Sequence, residues 1–153
     1  MQLHNTSQYA IRILSYIAKD NDGHLYSAKE LSSILEIPHK FLTKIMTELV
    51  KYDFILSIRG REGGYKLAKP ASSITVMEIL DKFNDQLNDE QCILGIGFCD
   101  SHNKCALHDQ WAQPKNLIQT MFRETTLDKL QINSRYIIPV GTHQAQGQVA
   151  ETG

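Results

Sequence analysis

The chain has 153 residues, 42% of them hydrophobic and 22% charged; that is room for one domain with appendages, and the composition excludes disordered, collagen-like and mucin-like chains. No apolar run approaches the ~18 residues of a membrane helix, and the N-terminus lacks a signal-peptide pattern, so a cytoplasmic protein with no membrane contact is expected. The net charge of −1 hides an asymmetry: residues 1–70 hold 10 Lys+Arg against 7 Asp+Glu, whereas residues 71–153 hold 6 against 10, which suggests two halves with different tasks.

Asn5-Thr6-Ser7-Gln8 reads as a capping box, and Tyr9, Ala10, Ile13, Leu14 and Ile17 then recur with a helical period to about Lys19. A second capping box, Ser27-Ala28-Lys29-Glu30, opens a short helix with Leu31, Ile34 and Leu35 as its expected buried face. After a break of about three residues, Pro38 suits the first turn of a third helix. Two helices joined this tightly predict a helix-turn-helix.

From His39 to about Tyr52 the two faces separate. Leu42, Ile45, Met46 and Leu49 would pack, while Lys40, Thr43, Lys44, Thr47 and Lys51 share the opposite side. The alternating run Phe54 to Arg59, the loop Gly60-Arg61-Glu62-Gly63-Gly64 and the run Tyr65 to Ala68 predict a β-hairpin. Directly after a helix-turn-helix, such a hairpin is a wing.

A third capping box, Thr75-Val76-Met77-Glu78, starts a helix with the stripe Val76, Ile79, Leu80 and Phe83. A polar, acidic linker runs from Asn84 to Gln91. Beyond the cysteine segment, Leu107, Trp111, Pro114, Ile118 and Met121 form a seam suited to helix packing between two subunits or within one. Pro114 requires that helix either to kink or to start later. Residues from about 141 onward are patternless and read as a disordered tail.

Two groups of residues carry chemistry. His39, Lys40, Thr43, Lys44 and Thr47 lie on one helix of the right size for a major groove, and Arg59 and Arg61 flank the wing tip, where phosphate or minor-groove contact is available. Residues 40–69 hold 7 Lys+Arg against 3 Asp+Glu, a local positive field for double-stranded DNA.

The second group is Cys92, Cys99, Cys105 and His108, spaced C-x6-C-x5-C-x2-H. An odd number of cysteines in one short window does not fit a disulfide framework, and no Cys-x2-4-Cys knuckle of a structural zinc site is present. The wide spacing around Gly95 and Gly97 matches a 2Fe-2S cluster better than a single ion, with an imidazole replacing one thiolate. Cys105 and His108 share one face if a helix has begun there, and His102 is a spare ligand candidate. Zinc and separate buried thiols are the other readings. His4, His24 and His143 read as exposed or packing side chains. No Walker loop, nucleophile elbow, dinucleotide fingerprint or H-E-x-x-H motif occurs, so no enzyme is expected.

Tyr9-Ala10, the run from Ser57 to Leu67, Ala71-Ser72-Ser73-Ile74, the three cysteines, Leu107-His108, Trp111 and Thr125-Thr126-Leu127 together resemble the winged-helix iron–sulfur transcription regulators of the IscR and NsrR types, the Rrf2 family. The likeness spans about residues 1–130. It implies a mainly α fold with a small β-hairpin wing: a winged helix-turn-helix DNA-binding domain over 1–83, a cysteine-containing sensor loop over 84–106, a dimerisation helix over 107–132, and a tail over 133–153. It also implies a homodimer reading a palindromic operator, expected to repress, with affinity set by a 2Fe-2S cluster or by the redox state of the cysteine loop. Cys92, Cys99, Cys105 and His108 would be the ligands. In NsrR-type sensors a carboxylate near the N-terminus completes the site; Gln8 stands in that region here, which favours His108. The rival expectation is an iron–sulfur or zinc redox or metal-handling protein whose helical part binds a partner.

Overall fold

The computed structural model describes residues 2–20, 22–85, 92–98, 102 and 104–130. Its order is α1 (Asn5–Ile17), α2 (Ala28–Leu35), α3 (His39–Lys51), β1 (Ile55–Ile58), β2 (Gly64–Leu67), a 3-10 turn (Ala71–Ser73), α4 (Val76–Lys82), α5 (His108–Glu124) and α6 (Leu127–Leu130). The mainly helical fold with one antiparallel hairpin is the one expected. The linker residues 86–91, the central cysteine and the tail over 133–153 lie outside the described residues.

Apolar periodicity builds the core. Ala10, Ile13, Leu14 and Ile17 of α1 meet Leu31 and Leu35 of α2 and Leu42, Ile45, Met46 and Leu49 of α3 in one cluster, closed by Phe54, Ile74 and Ile79. Removing this apolar surface from water is the main stabilising term of the fold. Ile34, expected inside, is exposed. The face that α2 buries is narrow, because α2 is only eight residues long and ends at Glu36 in the left-handed region.

The capping boxes turn out differently. At α2 both reciprocal bonds of Ser27 and Glu30 are made. At α4, Thr75 accepts from the Glu78 amide, but the Glu78 carboxylate pairs with Lys69 Nζ. At α1 the expected box is absent, and the cap is His4, with no side-chain bond. The His4 amide donates instead to Asp85 Oδ2 at 2.7 Å, so an acidic residue 81 positions away serves the helix N-terminus.

The turn between α2 and α3 is held from both sides. Ser32 Oγ donates to the Ile37 carbonyl at 2.7 Å, and the Ile37 amide donates to the Ser32 carbonyl at 3.2 Å. Arg12 of α1 reaches across to donate to the Leu35 carbonyl, at the C-terminal end of α2 where a cation is favoured. Burial pulls the Arg12 guanidinium below its ordinary pKa, with Tyr9 and Glu36 opposing the shift.

β1 and β2 pair with Ile55 opposite Leu67 and Ile58 opposite Gly64. The expected in-out alternation fails. Phe54 and Ile55 are both buried, whereas Leu56, Ser57 and Ile58 are all exposed. Only the base of the hairpin lies over the core; its tip has solvent on both faces. A third strand segment joins it through Tyr26, paired antiparallel with Tyr65.

Within the expected helix over 107–132, the described residues form two helices. α5 runs through Pro114 from His108 to Glu124, so the helix does not start later, and the missing N–H withholds one helical hydrogen bond. Thr125 and Thr126 are then extended, with Thr126 bridged to Thr75, before α6 begins. Leu127 enters the main core and is fully buried.

Candidate nucleic-acid interface and cysteine site

α3 begins as Pro38 turns the chain and its carbonyl accepts from the Phe41 and Leu42 amides at 2.9 and 3.0 Å. Because Leu42, Ile45, Met46 and Leu49 face inward, His39, Lys40, Lys44 and Thr47 are exposed and Thr43 is half-buried. Lys40 and Lys44 make no ion pair among the described residues, and neither do Arg59 and Arg61 at the wing tip. These four cations on the helix and wing are therefore available to an anionic partner. Both threonine hydroxyls are engaged locally: Thr43 Oγ1 donates to the His39 and Lys40 carbonyls at 3.0 and 3.1 Å, and Thr47 Oγ1 to the Thr43 carbonyl at 3.0 Å.

The wing tip depends on glycine. Gly60 adopts φ +122°, and its carbonyl accepts from the Gly63 amide at 3.1 Å. A Cβ on Gly63 would lie 2.1 Å from the Ile58 carbonyl oxygen, so only glycine closes this loop between Arg59 and Arg61 on one limb and β2 on the other.

In the cysteine segment the Cys92 amide donates to the Gly97 carbonyl at 2.9 Å, and the Gly95 amide to the Cys92 carbonyl at 2.8 Å. Gly95 and Gly97 both adopt positive φ, which lets so short a loop fold back on its first residue. The Leu94 backbone donates to the Cys92 sulfur, the Cys105 thiol donates next, and the Ile96 backbone adds a smaller contribution. Together they hold the Cys92 thiol below its ordinary pKa against the opposing effect of burial. Cys92 is 8% exposed and Cys105 half-buried. Among the described residues, the adjoining cleft of about 290 Å³ is lined by this loop and the start of α5, including His108.

Cys92, Cys105 and His108 thus line one cleft. Cys99 lies outside the described residues, and among those described no three His, Cys, Asp or Glu side chains converge as a metal site. His102 is exposed and is not part of the cleft lining. His4 pairs with Asp85, and His24 lies 3.6 Å from Glu30. His143 falls outside the described residues.

Sequence reasoning did not find the sulfur's backbone donors; Gly95 and Gly97 were their only trace, since an amide direction is not written in residue type. It also missed Lys104, whose Nζ donates to Asp109 Oδ1 at 2.9 Å and holds that carboxyl below its usual range, tying the loop to the first turn of α5. The loop's apolar side chains stand in solvent, with Phe98 79% exposed.

A helix-turn-helix followed by a hairpin wing, with unpaired cations on both, defines a winged-helix transcription regulator. The chain belongs to the Rrf2 family, described as iron-dependent transcriptional regulators, which matches residues 3–133. It is 34% identical over 139 residues to an HTH-type transcriptional regulator assigned in Aquifex aeolicus, covering 89% of this chain and 96% of that one. It is 30% identical over 138 residues to the HTH-type transcriptional regulator NsrR of Shouchella clausii, covering 90% and 86%. Among solved structures it is similar to CymR of B. subtilis, a global cysteine regulator, with a TM-score of 0.72 at 19% identity over 86% of this chain and 96% of that one. These relatives are transcriptional regulators, not enzymes. Among the described residues no helix is long and apolar enough to cross a membrane.

Proposed function

We propose that this protein is a cytoplasmic homodimeric repressor that reads a palindromic operator in double-stranded DNA, with its affinity set by a 2Fe-2S cluster held in the cysteine loop. The single observation carrying the sensor reading is the Cys92 sulfur, which receives a thiol from Cys105 and backbone donors from its own loop beside a cleft that His108 lines. Such donors stabilise a thiolate, the form that ligates iron. Cys92 and Cys105 would hold the cluster, with Cys99 and His108 completing the set. When bound, the cluster supplies a reversible one-electron change and sensitivity to oxidants.

The chain's own residues link this site to DNA. Drawing Cys92 toward Cys105 fixes the loop against the start of α5, which packs on α4; α4 in turn packs on α1, which supports α3. Two loop states then correspond to two positions of α3 and the wing, and a ligand shifts affinity only as far as it prefers one of them. His39, Lys40, Thr43, Lys44 and Thr47 would meet the major groove, and Arg59 and Arg61 the adjacent backbone or minor groove.

The dimer reading is supported by α5. Toward its own subunit it buries Lys115 and Gln119, while Leu117 and Met121 stand in solvent. A helix that leaves two such apolar side chains outward is suited to a second copy.

Anaerobic purification followed by iron and sulfide analysis, with gel shifts on promoter fragments before and after cluster removal, tests the proposal. Equal iron and acid-labile sulfide, and a changed operator affinity on removal, are expected. A colourless protein with stoichiometric zinc overturns the cluster. A second reading, control by thiol oxidation without metal, is favoured by the Cys105 thiol donating to the Cys92 sulfur. It predicts an oxidant response in metal-free protein that Cys105→Ser abolishes.

A further inference from the structure

We propose that Thr43 and Thr47 read DNA through their methyl groups, which lie one turn of α3 apart and form a contact surface for the C5-methyl of thymine. The inference rests on the reading of α3 as the DNA-contacting helix and specifies what two of its residues recognise.

A threonine hydroxyl has one proton to give. In Thr43 it goes to the His39 and Lys40 carbonyls, and in Thr47 to the Thr43 carbonyl, all within α3. Neither hydroxyl is left as a donor to guanine N7 or O6, to thymine O4 or to a phosphate. With Oγ1 turned against the helix backbone, the other heavy branch of the tetrahedral Cβ, the methyl, is left facing away from those carbonyls.

The two residues lie at i and i+4 and therefore on one side of α3. They stand away from the buried Leu42, Ile45, Met46 and Leu49, and beside Lys40 and Lys44. The lysines supply attraction to phosphates that does not depend on sequence. The threonine pair then supplies a small apolar surface at the groove floor. Thymine alone among the bases carries a methyl in the major groove, and threonine methyls pack against it. Removing one such methyl contact corresponds to about a fourfold loss of affinity.

The test uses the full chain. Duplexes are selected from a randomised pool at fixed salt, and the selected duplex is remade with deoxyuridine in place of thymine at each position in turn, which deletes only the methyl. Binding is expected to fall about fourfold at one or two positions in each half-site. Thr43→Ser and Thr47→Ser should each abolish the difference between thymine and deoxyuridine at one position, and Thr43→Val and Thr47→Val should keep it. If deoxyuridine has no effect at any position on the unsubstituted protein, the inference is wrong while DNA binding by α3 stands. If the serine variants keep discrimination and the valine variants lose it, the hydroxyls do the reading and the inference is equally overturned. If no duplex is enriched, or Lys44→Ala leaves binding unchanged, the reading of α3 fails and the inference with it.

Discussion

The Leu127 amide donates to the Ile74 carbonyl at 3.0 Å, and the Leu127 side chain is completely buried in the core that supports α3. Beside it the Val76 amide donates to the Thr125 carbonyl at 2.9 Å. The far end of α5 is thereby fastened to the residues that start α4. Leu127→Ala should cost about 2–5 kcal/mol, the range for emptying a packed leucine site. Urea unfolding followed by circular dichroism measures this. An effect below about 1 kcal/mol would mean that the C-terminal segment is not anchored there.

Gly63→Ala places a methyl carbon on the Ile58 carbonyl. Backbone cannot yield as a flexible side chain can, so the loop carrying Arg59 and Arg61 must open. Operator affinity should fall at least tenfold with helical circular dichroism unchanged. Unaltered binding would remove the wing from the DNA interface.

Tyr26 carries its phenol against Asp20 and its backbone against Tyr65 of the wing. Burial first, and then the hydrogen bond to Asp20, push the phenol well above its ordinary pKa. The sign follows from linkage. A raised folded-state pKa contributes stability that is intact below the unfolded value, about 10, and is lost as pH rises toward the folded one. Tyr26 should form phenolate only at strongly alkaline pH in an ultraviolet titration, and Tyr26→Phe should delete that late component. Asp20→Asn should advance it.

Leu117 is 64% exposed on α5, four residues before the similarly exposed Met121. If a second copy covers this face, Leu117→Glu places a charge in the interface and should shift the chain toward monomer in analytical ultracentrifugation, while the subunit's own melting transition persists. A dimer of undiminished strength would place the interface elsewhere.

Ser15 is buried in α1, and its hydroxyl has no hydrogen-bond partner among the described residues. An unsatisfied buried hydroxyl is costly, and alanine is the better helix former. Ser15→Ala should therefore raise stability by about 1 kcal/mol in the same urea experiment. Destabilisation would reveal a partner for that hydroxyl.

The helix-turn-helix was legible because period and local chemistry agreed. Leu42, Ile45, Met46 and Leu49 fall inside at helical spacing, and Ser27 with Glu30 closes its box as written. Where a local signal competed with a distant partner, the distant partner prevailed. Glu78 left its box for Lys69, and Asp85 took over the start of α1 from the Asn5 pattern. The seam along α5 was read correctly as helical, yet Trp111 and Ile118 are half-buried while Leu107, Pro114 and Met121 are exposed, because period identifies a face but not what lies against it.

By itself the sequence determined the order of helices and hairpin, the basic character of α3 and the wing, and the gathering of three cysteines near His108. These are properties of neighbours along the chain: period, capping chemistry, turn residues and charge. Only the tertiary structure decided that Cys92 faces Cys105 among backbone donors, that Tyr26 joins the wing, and that Leu127 returns to the core. Those relations depend on hydrogen-bond directions and on contacts between residues far apart in the chain, which residue type and spacing do not encode.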